Sequence, residues 1–199
     1  MTGNPSAATR SALVVAVPEA EPVVGRHRRA LARSATVGVP AHVTVLYPFL
    51  APERVDDAVL DKVREALSGT TVFECVFSRV RWFGEHLVWL QPEPDAPFRA
   101  LTAAVWHRFP DHPPYGGDYS DPSPHLTVGD AHTADPTVLR RAAVDIEPEL
   151  PITARIDRVL LLAGSDEPDS WWTMAVFDLP AGSPAPGRPV AEVEPRRPD

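Results

Sequence analysis

The sequence predicts an α+β fold with two pseudo-symmetric lobes, whose antiparallel-rich sheets flank a central cleft. Short apolar strand signals alternate with helical periods from residue 11 to residue 180, and the same order of elements occurs twice. Residues 1–10 are small and polar, and residues 181–199 are rich in proline without an apolar period. We therefore expect one bilobal domain over 11–180, between a disordered N-terminus and a flexible tail.

Seven segments predict strands, because each is short, rich in β-forming side chains and bounded by turn residues. They cover residues 12–17, 42–47, 72–80, 86–90, 125–128, 152–162 and 171–179. In the third segment, Phe73, Cys75 and Phe77 alternate onto one face. This pattern predicts that the single cysteine of the chain is a core thiol.

Four segments predict helices, and they cover residues 22–32, 55–67, 97–109 and 136–146. The second has apolar residues at four-residue spacing, and the third begins at Pro97 and ends before Pro110. In each half of the chain a helix leads to a His-x-Thr strand, then to another helix and to two strands that pair as a hairpin. A pseudo-two-fold relation between residues 22–90 and 97–179 would bring the two His-x-Thr strands side by side.

The two His-x-Thr motifs carry the chemistry that the sequence predicts. His42 and Thr44, like His125 and Thr127, are two positions apart, so each pair projects from one face of its strand. Across a shared groove, one histidine can take a proton from a nucleophile while the other donates one to a leaving oxygen. The threonines can hold the non-bridging oxygens of a phosphate, where negative charge develops.

Spacing alone is weak evidence, because a threonine two positions after a histidine also arises by chance. The alternative is that His42 and His125 are strand histidines with satisfied hydrogen bonds and no chemistry. Their context favours a site. Both lie in apolar strands, both closely follow a proline, and both occupy the same place in the repeat.

Two segments resemble a known family. Residues 39–49 (Val-Pro-Ala-His-Val-Thr-Val-Leu-Tyr-Pro-Phe) and 124–128 (Pro-His-Leu-Thr-Val) look like the paired signatures of the two-histidine phosphoesterase superfamily. They resemble more closely its bacterial 2′-5′ RNA ligase-like or cyclic phosphodiesterase branch. The resemblance implies a bilobal α+β fold, no metal cofactor, and hydrolysis of 2′,3′-cyclic phosphates or related RNA-end phosphodiesters.

The resemblance also implies a role for each motif residue. His42 would donate the proton to the leaving ribose oxygen, and His125 would be the base that activates water. Thr44 and Thr127 would bind the phosphate. One position departs from the family pattern: Gly129 stands where the family has an apolar residue two positions after the second threonine.

Three aromatic residues near the motifs are candidates for stacking on a nucleobase: Tyr47, Phe49 and Tyr115. The alternative for each is an anchor in the core or in a loop. His107 and His112 do not predict a metal site, because the prolines around them interrupt regular ligand spacing. No glycine-rich phosphate loop is present, so we expect no ATP-dependent chemistry and no cofactor.

The formal net charge of −8 bears on the partners of this protein. Proteins that grip a long nucleic acid usually have a basic surface, whereas the longest basic cluster here covers only residues 26–29. An RNA 3′ end or a small cyclic nucleotide is therefore the expected partner.

The apolar runs are too short to cross a bilayer and there is one cysteine, so we expect a cytoplasmic protein with no membrane or metal partner, acting as a monomer.

The sequence thus predicts a metal-independent phosphodiesterase that hydrolyses 2′,3′-cyclic phosphates by two-histidine acid–base catalysis. A first alternative keeps the enzyme class and shifts the substrate to 2′-5′-linked oligonucleotides, with ligase-like activity. A second alternative is a non-catalytic module that binds RNA ends. The intact pair of His42 and His125 favours the enzyme, because a binding module would tolerate the loss of either.

Overall fold

The computed structural model describes residues 8–119 and 121–182. Its strands are β1 (Arg10–Ala16), β2 (His42–Leu46), β3 (Phe73–Phe83), β4 (Leu87–Glu93), β5 (Leu126–Asp130), β6 (Ile152–Ile156), β7 (Arg158–Gly164) and β8 (Trp172–Asp178). Its α-helices are α1 (Glu21–Leu31), α2 (Arg33–Thr36), α3 (Asp57–Leu67), α4 (Ala96–Arg108) and α5 (Pro136–Ile146). Most of the predicted terminal segments, residues 1–7 and 183–199, lies outside the described residues.

The four predicted helices are confirmed to within two residues at each end. Two of them begin at aspartates that cap free N–H groups of the first turn. The Asp56 carboxylate accepts from the Val59 N–H at 2.9 Å, and the Asp135 carboxylate accepts from the Thr137 N–H at 2.7 Å. The short helix α2 was not predicted, because four residues are too few to show a helical period.

The prediction of one strand over residues 152–162 is wrong. The segment forms two strands, β6 and β7, which are separated by Asp157 and pair with β3 and β1 respectively. A continuous run of β-forming residues does not reveal a break of one residue. At the other end of the chain, the Thr9 N–H donates to the Gly164 carbonyl at 2.9 Å and Arg10 begins β1, so the strand starts inside the predicted disordered segment.

The strands form one eight-stranded antiparallel sheet in the order β6-β3-β4-β5-β2-β1-β7-β8. The two His-x-Thr strands, β2 and β5, are neighbours at its centre, as the repeat predicts. The hairpin β3–β4 comes from the first pass of the repeat, residues 22–90, but extends the half of the sheet that contains β5. The pair β7–β8 comes from the second pass, residues 97–179, and extends the half of the sheet that contains β2. Each lobe is therefore completed by strands from the other pass.

The longer helices pack against the sheet and cover its core-forming side chains. Helix α1 packs on β5 and beside α5, while α4 packs on β2 and beside α3. Side chains alternate along the central strands, so Val43, Val45, Leu126 and Val128 are buried in the core, whereas the motif residues face the other way. Within the described ranges, no helix has the length and apolar character needed to span a bilayer.

Candidate active site

The four motif residues form a two-by-two array on the free face of the sheet. Strands β2 and β5 pair at a single position, Val43 with Leu126. In the antiparallel register that this pair sets, His42 lies opposite Thr127 and Thr44 lies opposite His125. Each histidine is therefore beside the threonine of the other strand, and all four line one cleft of about 420 Å³.

Both imidazoles are held in the same way by a backbone carbonyl two residues earlier. His42 Nδ1 is 2.7 Å from the Pro40 carbonyl oxygen, and His125 Nδ1 is 2.8 Å from the Ser123 carbonyl oxygen. A carbonyl oxygen only accepts, so Nδ1 carries the proton in each ring and donates it. The Nε2 atom of the neutral ring is then free to accept a proton, and the same atom of the protonated ring is free to donate one.

The site keeps both histidines neutral in the free protein. Burial, assisted by the positive charge of Arg28 and by His125, lowers the pKa of His42 to about 3, against the opposing hydrogen bond to the Pro40 carbonyl. Burial also lowers the pKa of His125, again against its carbonyl hydrogen bond. An anionic phosphate bound between them would favour the charged forms and raise both pKa values.

Aromatic rings enclose His125. The Tyr115 ring stacks on it with centroids 6.3 Å apart, while Phe83 and Trp89 present their rings at steep angles, with centroids 5.2 and 5.9 Å away. Trp89 is there because it pairs with Thr127 across β4 and β5. Sequence reasoning missed Phe83 and Trp89, because nothing in the local pattern shows that the β3–β4 hairpin lies beside β5.

Two of the three aromatic candidates for stacking line the cleft, and the third does not. Tyr47 and Tyr115 line the cleft. Tyr115 has a left-handed backbone (φ 53°) and donates its N–H to the Tyr47 carbonyl at 2.6 Å. Phe49 is only 5% exposed and packs in the core against the edge of Phe109. The expectation that Phe49 stacks on a base is therefore corrected, because its ring has no free face.

One end of the cleft has an apolar wall that sequence reasoning did not identify. Its lining residues are Ala12, Val14, Val37, Val39, Tyr47 and Trp171. The Trp171 indole N–H donates to the Ser165 carbonyl at 2.8 Å, and its ring covers Gly164, where an added Cβ would overlap it. The rim carries Arg10 and Arg33, which share the carboxylate of Asp166. These residues come from distant segments, so no motif in the sequence connects them.

Arg28 is a further residue that sequence reasoning missed, because the abundance of arginine in this chain is typical of a composition bias and does not show which arginine belongs to the site. It lies on α1, is 1% exposed, and donates to the backbone carbonyls of Thr127, in the second motif, and of Pro40, two positions before His42. His107 and His112 do not line the cleft. Among the described residues, no group of three or more histidine, cysteine, aspartate or glutamate side chains is placed to hold a metal ion.

Several solved structures have a fold similar to that of this chain. E. coli LigT, solved with 3′-AMP, is 13% identical, with 86% of this chain and 98% of LigT covered and a TM-score of 0.54. A protein of Thermus thermophilus is 16% identical, with 87% and 100% covered and a TM-score of 0.55. A structure described as a phosphoesterase is 15% identical, with 87% and 99% covered and a TM-score of 0.52. At these identities the likeness shows the fold.

No curated protein sequence matches this chain significantly. The model of the 2′-5′ RNA ligase superfamily matches residues 16–167, which is well over half of the sequence. The resemblance inferred from the two motifs and the predicted fold class are both confirmed. The chain belongs to the 2′-5′ RNA ligase superfamily of two-histidine phosphoesterases.

Proposed function

We propose that this protein is a metal-independent phosphodiesterase that hydrolyses 2′,3′-cyclic phosphates, either at RNA 3′ ends or in small cyclic nucleotides. The observation that carries the proposal is the two-by-two array, in which each imidazole is fixed through Nδ1 and lies beside the threonine of the other strand. This arrangement supports an acid and a base acting on one phosphorus from two sides. The superfamily supports a phosphoesterase.

The reaction requires one histidine to accept a proton from water and the other to donate a proton to the leaving oxygen. The base histidine accepts a proton at Nε2 from a water molecule as its oxygen attacks the phosphorus. The bond from phosphorus to one ribose oxygen breaks, and the acid histidine donates its Nε2 proton to that oxygen. The product is a phosphomonoester beside a free ribose hydroxyl. Proton exchange with solvent then restores both rings.

Thr44 and Thr127 donate their hydroxyl hydrogen bonds to the non-bridging oxygens, where charge develops as water attacks. The apolar wall that includes Tyr47 and Trp171 receives the nucleoside, because such a wall with a few polar groups at its rim suits a base and sugar. The structure of LigT with 3′-AMP supports this class of ligand, since a nucleotide phosphomonoester is also the proposed product.

A second pocket favours a second candidate, cleavage of 2′-5′-linked oligonucleotides. This pocket has a volume of about 220 Å³ and shares Thr44, Tyr47 and Tyr115 with the cleft. A substrate with two nucleosides has room to place one on each side of the phosphate. A third candidate, a non-catalytic module that binds RNA ends, predicts binding without turnover.

The test is turnover of adenosine 2′,3′-cyclic phosphate, and of a 2′-5′-linked adenylyl dinucleotide in parallel, with EDTA present. We expect turnover of the cyclic phosphate by the wild type and losses of at least about a thousandfold in His42→Ala and His125→Ala. His107→Ala, which removes an exposed histidine outside the cleft, is the matched control. Unchanged activity in either motif variant, or complete loss of wild-type activity with EDTA, would contradict the proposal. Turnover of the dinucleotide alone would favour the second candidate.

A further inference from the structure

The rim of the cleft carries two arginines that are held by one carboxylate. Arg10 Nη1 donates to Asp166 Oδ1 at 2.9 Å and Arg10 Nη2 donates to Asp166 Oδ2, while Arg33 Nη2 donates to Asp166 Oδ1 at 2.8 Å. All three side chains line the cleft. In the described part of the chain, neither guanidinium pairs with a second carboxylate. Two positive charges beside one negative charge therefore leave a cation in excess at this cluster.

The cluster lies well away from the two-by-two array. Arg10, Ala12 and Val14 all line the cleft from β1. Val14 pairs with Thr44 of the first motif, and Arg10 comes four residues earlier, which is about 13 Å along a strand. A phosphate held by the motif threonines does not span that distance. A ligand of both the array and the cluster must extend along the apolar wall between them.

The wall is the part of the cleft that suits a nucleoside. The rings of Tyr47 and Trp171 belong to it, with centroids 6.4 Å apart. Arg10 Nη1 donates to the Tyr47 hydroxyl at 3.4 Å, so the wall ends where the charged cluster begins. The order along the cleft is therefore a phosphate array, an apolar wall and a cationic rim. A nucleoside 2′,3′-cyclic phosphate with a second phosphate at its 5′ oxygen presents its groups in the same order.

We propose that Arg10 and Arg33 determine substrate specificity by binding a phosphate on the 5′ side of the nucleoside whose cyclic phosphate reacts. This inference rests on the proposed function of the cleft. The guanidinium groups donate to the non-bridging oxygens of that second phosphate, which is the geometry that arginine favours. Two sources offer this chemistry: the 5′-phosphate of a small cyclic nucleotide, and the phosphodiester that joins the last two nucleotides of an RNA 3′ end.

Both arginines have N–H groups to spare. A guanidinium carries five N–H donors, of which Arg33 uses one on Asp166 and Arg10 uses three on Asp166 and Tyr47. Their side chains are 41% and 67% exposed for Arg10 and Arg33, so an incoming phosphate can reach the remaining donors. Asp166 holds the two guanidinium groups beside each other before a ligand binds. This order in the free protein lowers the entropy cost of binding.

Asp130 is the other acidic residue in the cleft lining, and its carboxylate is occupied. It accepts from the backbone N–H groups of Arg33 and His132 and from the Thr133 hydroxyl, each at 3.1 Å. The bond to the Arg33 N–H fixes the residue at which α2 begins. Asp130 and Asp166 thus hold the two ends of Arg33, the first by its backbone and the second by its guanidinium.

A binding measurement that needs no turnover tests the site. Adenosine 3′-phosphate and adenosine 3′,5′-bisphosphate differ only in the 5′-phosphate, and calorimetry compares their affinities. In the wild type we expect the bisphosphate to bind at least about fivefold more tightly at low salt, with a smaller ratio at high salt, because salt screens exposed charges. The double variant Arg10→Gln, Arg33→Gln should bring the ratio within about twofold. If this variant does not fold, Arg33→Gln alone should at least halve the ratio.

The matched control is the double variant Arg140→Gln, Arg141→Gln. It removes two exposed arginines from α5, outside the cleft lining, and so makes the same change in net charge. We expect it to keep the wild-type ratio. The inference is overturned if the 5′-phosphate does not strengthen binding to the wild type, or if the control loses the preference as fully as the rim variant does.

Kinetics identify the source of the second phosphate. KM is compared for adenosine 2′,3′-cyclic phosphate, for the same nucleotide with a 5′-phosphate, and for adenylyl-(3′-5′)-adenosine 2′,3′-cyclic phosphate. A lower KM for both longer substrates supports an RNA 3′ end, and a lower KM for the 5′-phosphorylated mononucleotide alone supports a small nucleotide. Turnover with equal KM for all three refutes the rim site alone. Absence of turnover, with the bisphosphate still preferred in binding, refutes the proposed hydrolysis and leaves the rim site standing.

Discussion

The rings of Tyr115 and His125 stack, with their centroids 6.3 Å apart and their planes inclined by 20°. This contact is part of the burial that lowers the pKa of His125. Tyr115→Ala admits water to the ring, so we expect the pKa of His125 to rise towards its ordinary value. Titration of the His125 ring by NMR measures this change. Tyr115→Phe keeps the ring and should leave the pKa in place. Equal shifts in the two variants would contradict the role of stacking.

The threonine hydroxyls are expected to stabilise charge on the phosphate. Thr127→Val keeps the shape of the side chain and removes the hydroxyl, so we expect kcat/KM for a 2′,3′-cyclic nucleotide to fall about tenfold to a hundredfold, the cost of a hydrogen bond to a charged group. Thr44→Val should act similarly. Thr153→Val, at an exposed position of β6, is the matched control. Loss of no more than about twofold in both motif variants would remove the threonines from the mechanism.

Stability should depend on pH through His42. Its pKa is about 3 in the folded protein and 6.5 for an unperturbed imidazole, as in the unfolded chain. Between these two pH values the unfolded chain therefore binds more protons than the folded protein. The free energy of unfolding is therefore greatest above about pH 6.5 and falls as the pH drops towards 3. We expect a shallower fall in His42→Gln than in the wild type, as measured by urea denaturation from pH 7 to pH 4. His107→Gln should keep the wild-type slope, and equal slopes for all three proteins would refute the expectation.

Trp171 forms part of the apolar wall that is proposed to receive the nucleoside. Removal of an aromatic platform costs about 1–3 kcal/mol of stacking on one base, so Trp171→Ala should raise KM about fivefold or more, with kcat changed less. Steady-state kinetics on a 2′,3′-cyclic mononucleotide check this, with the thermal midpoint measured alongside. Trp106→Ala is the control, because Trp106 is exposed and lines only the second pocket. A change in kcat without a change in KM would place the nucleoside elsewhere.

Gly129 departs from the family pattern for a reason that the structure supplies. A Cβ at this position would lie 2.8 Å from Leu31 Cβ and from a methyl carbon of Leu139, so the helices α1 and α5 approach the strand too closely for a side chain. We expect Gly129→Ala to lower the free energy of unfolding by about 1–3 kcal/mol, the usual cost of overpacking. Gly69→Ala, where no atom lies within 4 Å, should not show this loss. Denaturant unfolding of the two variants compares them.

Much of the fold follows from local patterns in the sequence. The apolar period of α3 and the prolines that open α4 and α5 predict the helices to within two residues, and the alternation of β2 and β5 puts each histidine on the face of its threonine. The repeat also places the two motif strands side by side. What local patterns do not contain is the pairing of distant segments. The break at Asp157 and the position of Trp89 opposite Thr127 are set by partners elsewhere in the chain.

The parts of the site that escaped prediction have the same origin. Trp171 reaches the cleft because the loop after β7 bonds to the segment after α2, through the Trp171 N–H and the Val37 carbonyl at 3.0 Å. Arg28 is one member of a basic cluster in the sequence, and composition does not show which arginine the packing of α1 will bury. Closeness to the first motif makes Phe49 a candidate for stacking, but the chain turns after β2 and carries the ring into the core.

The exchange of hairpins between the two passes makes assembly of the cleft a late, long-range event in folding. Val43 and Leu126 lie far apart in the chain, and each belongs to a half of the sheet that is completed by strands from the other pass. Closing so long a loop costs entropy before any contact offsets it. His42 and His125 therefore come together only after the strands of both halves of the sheet have paired. A fragment ending near residue 94 would keep β2 beside β1 but lack β5, β7 and β8, and would carry His42 without His125.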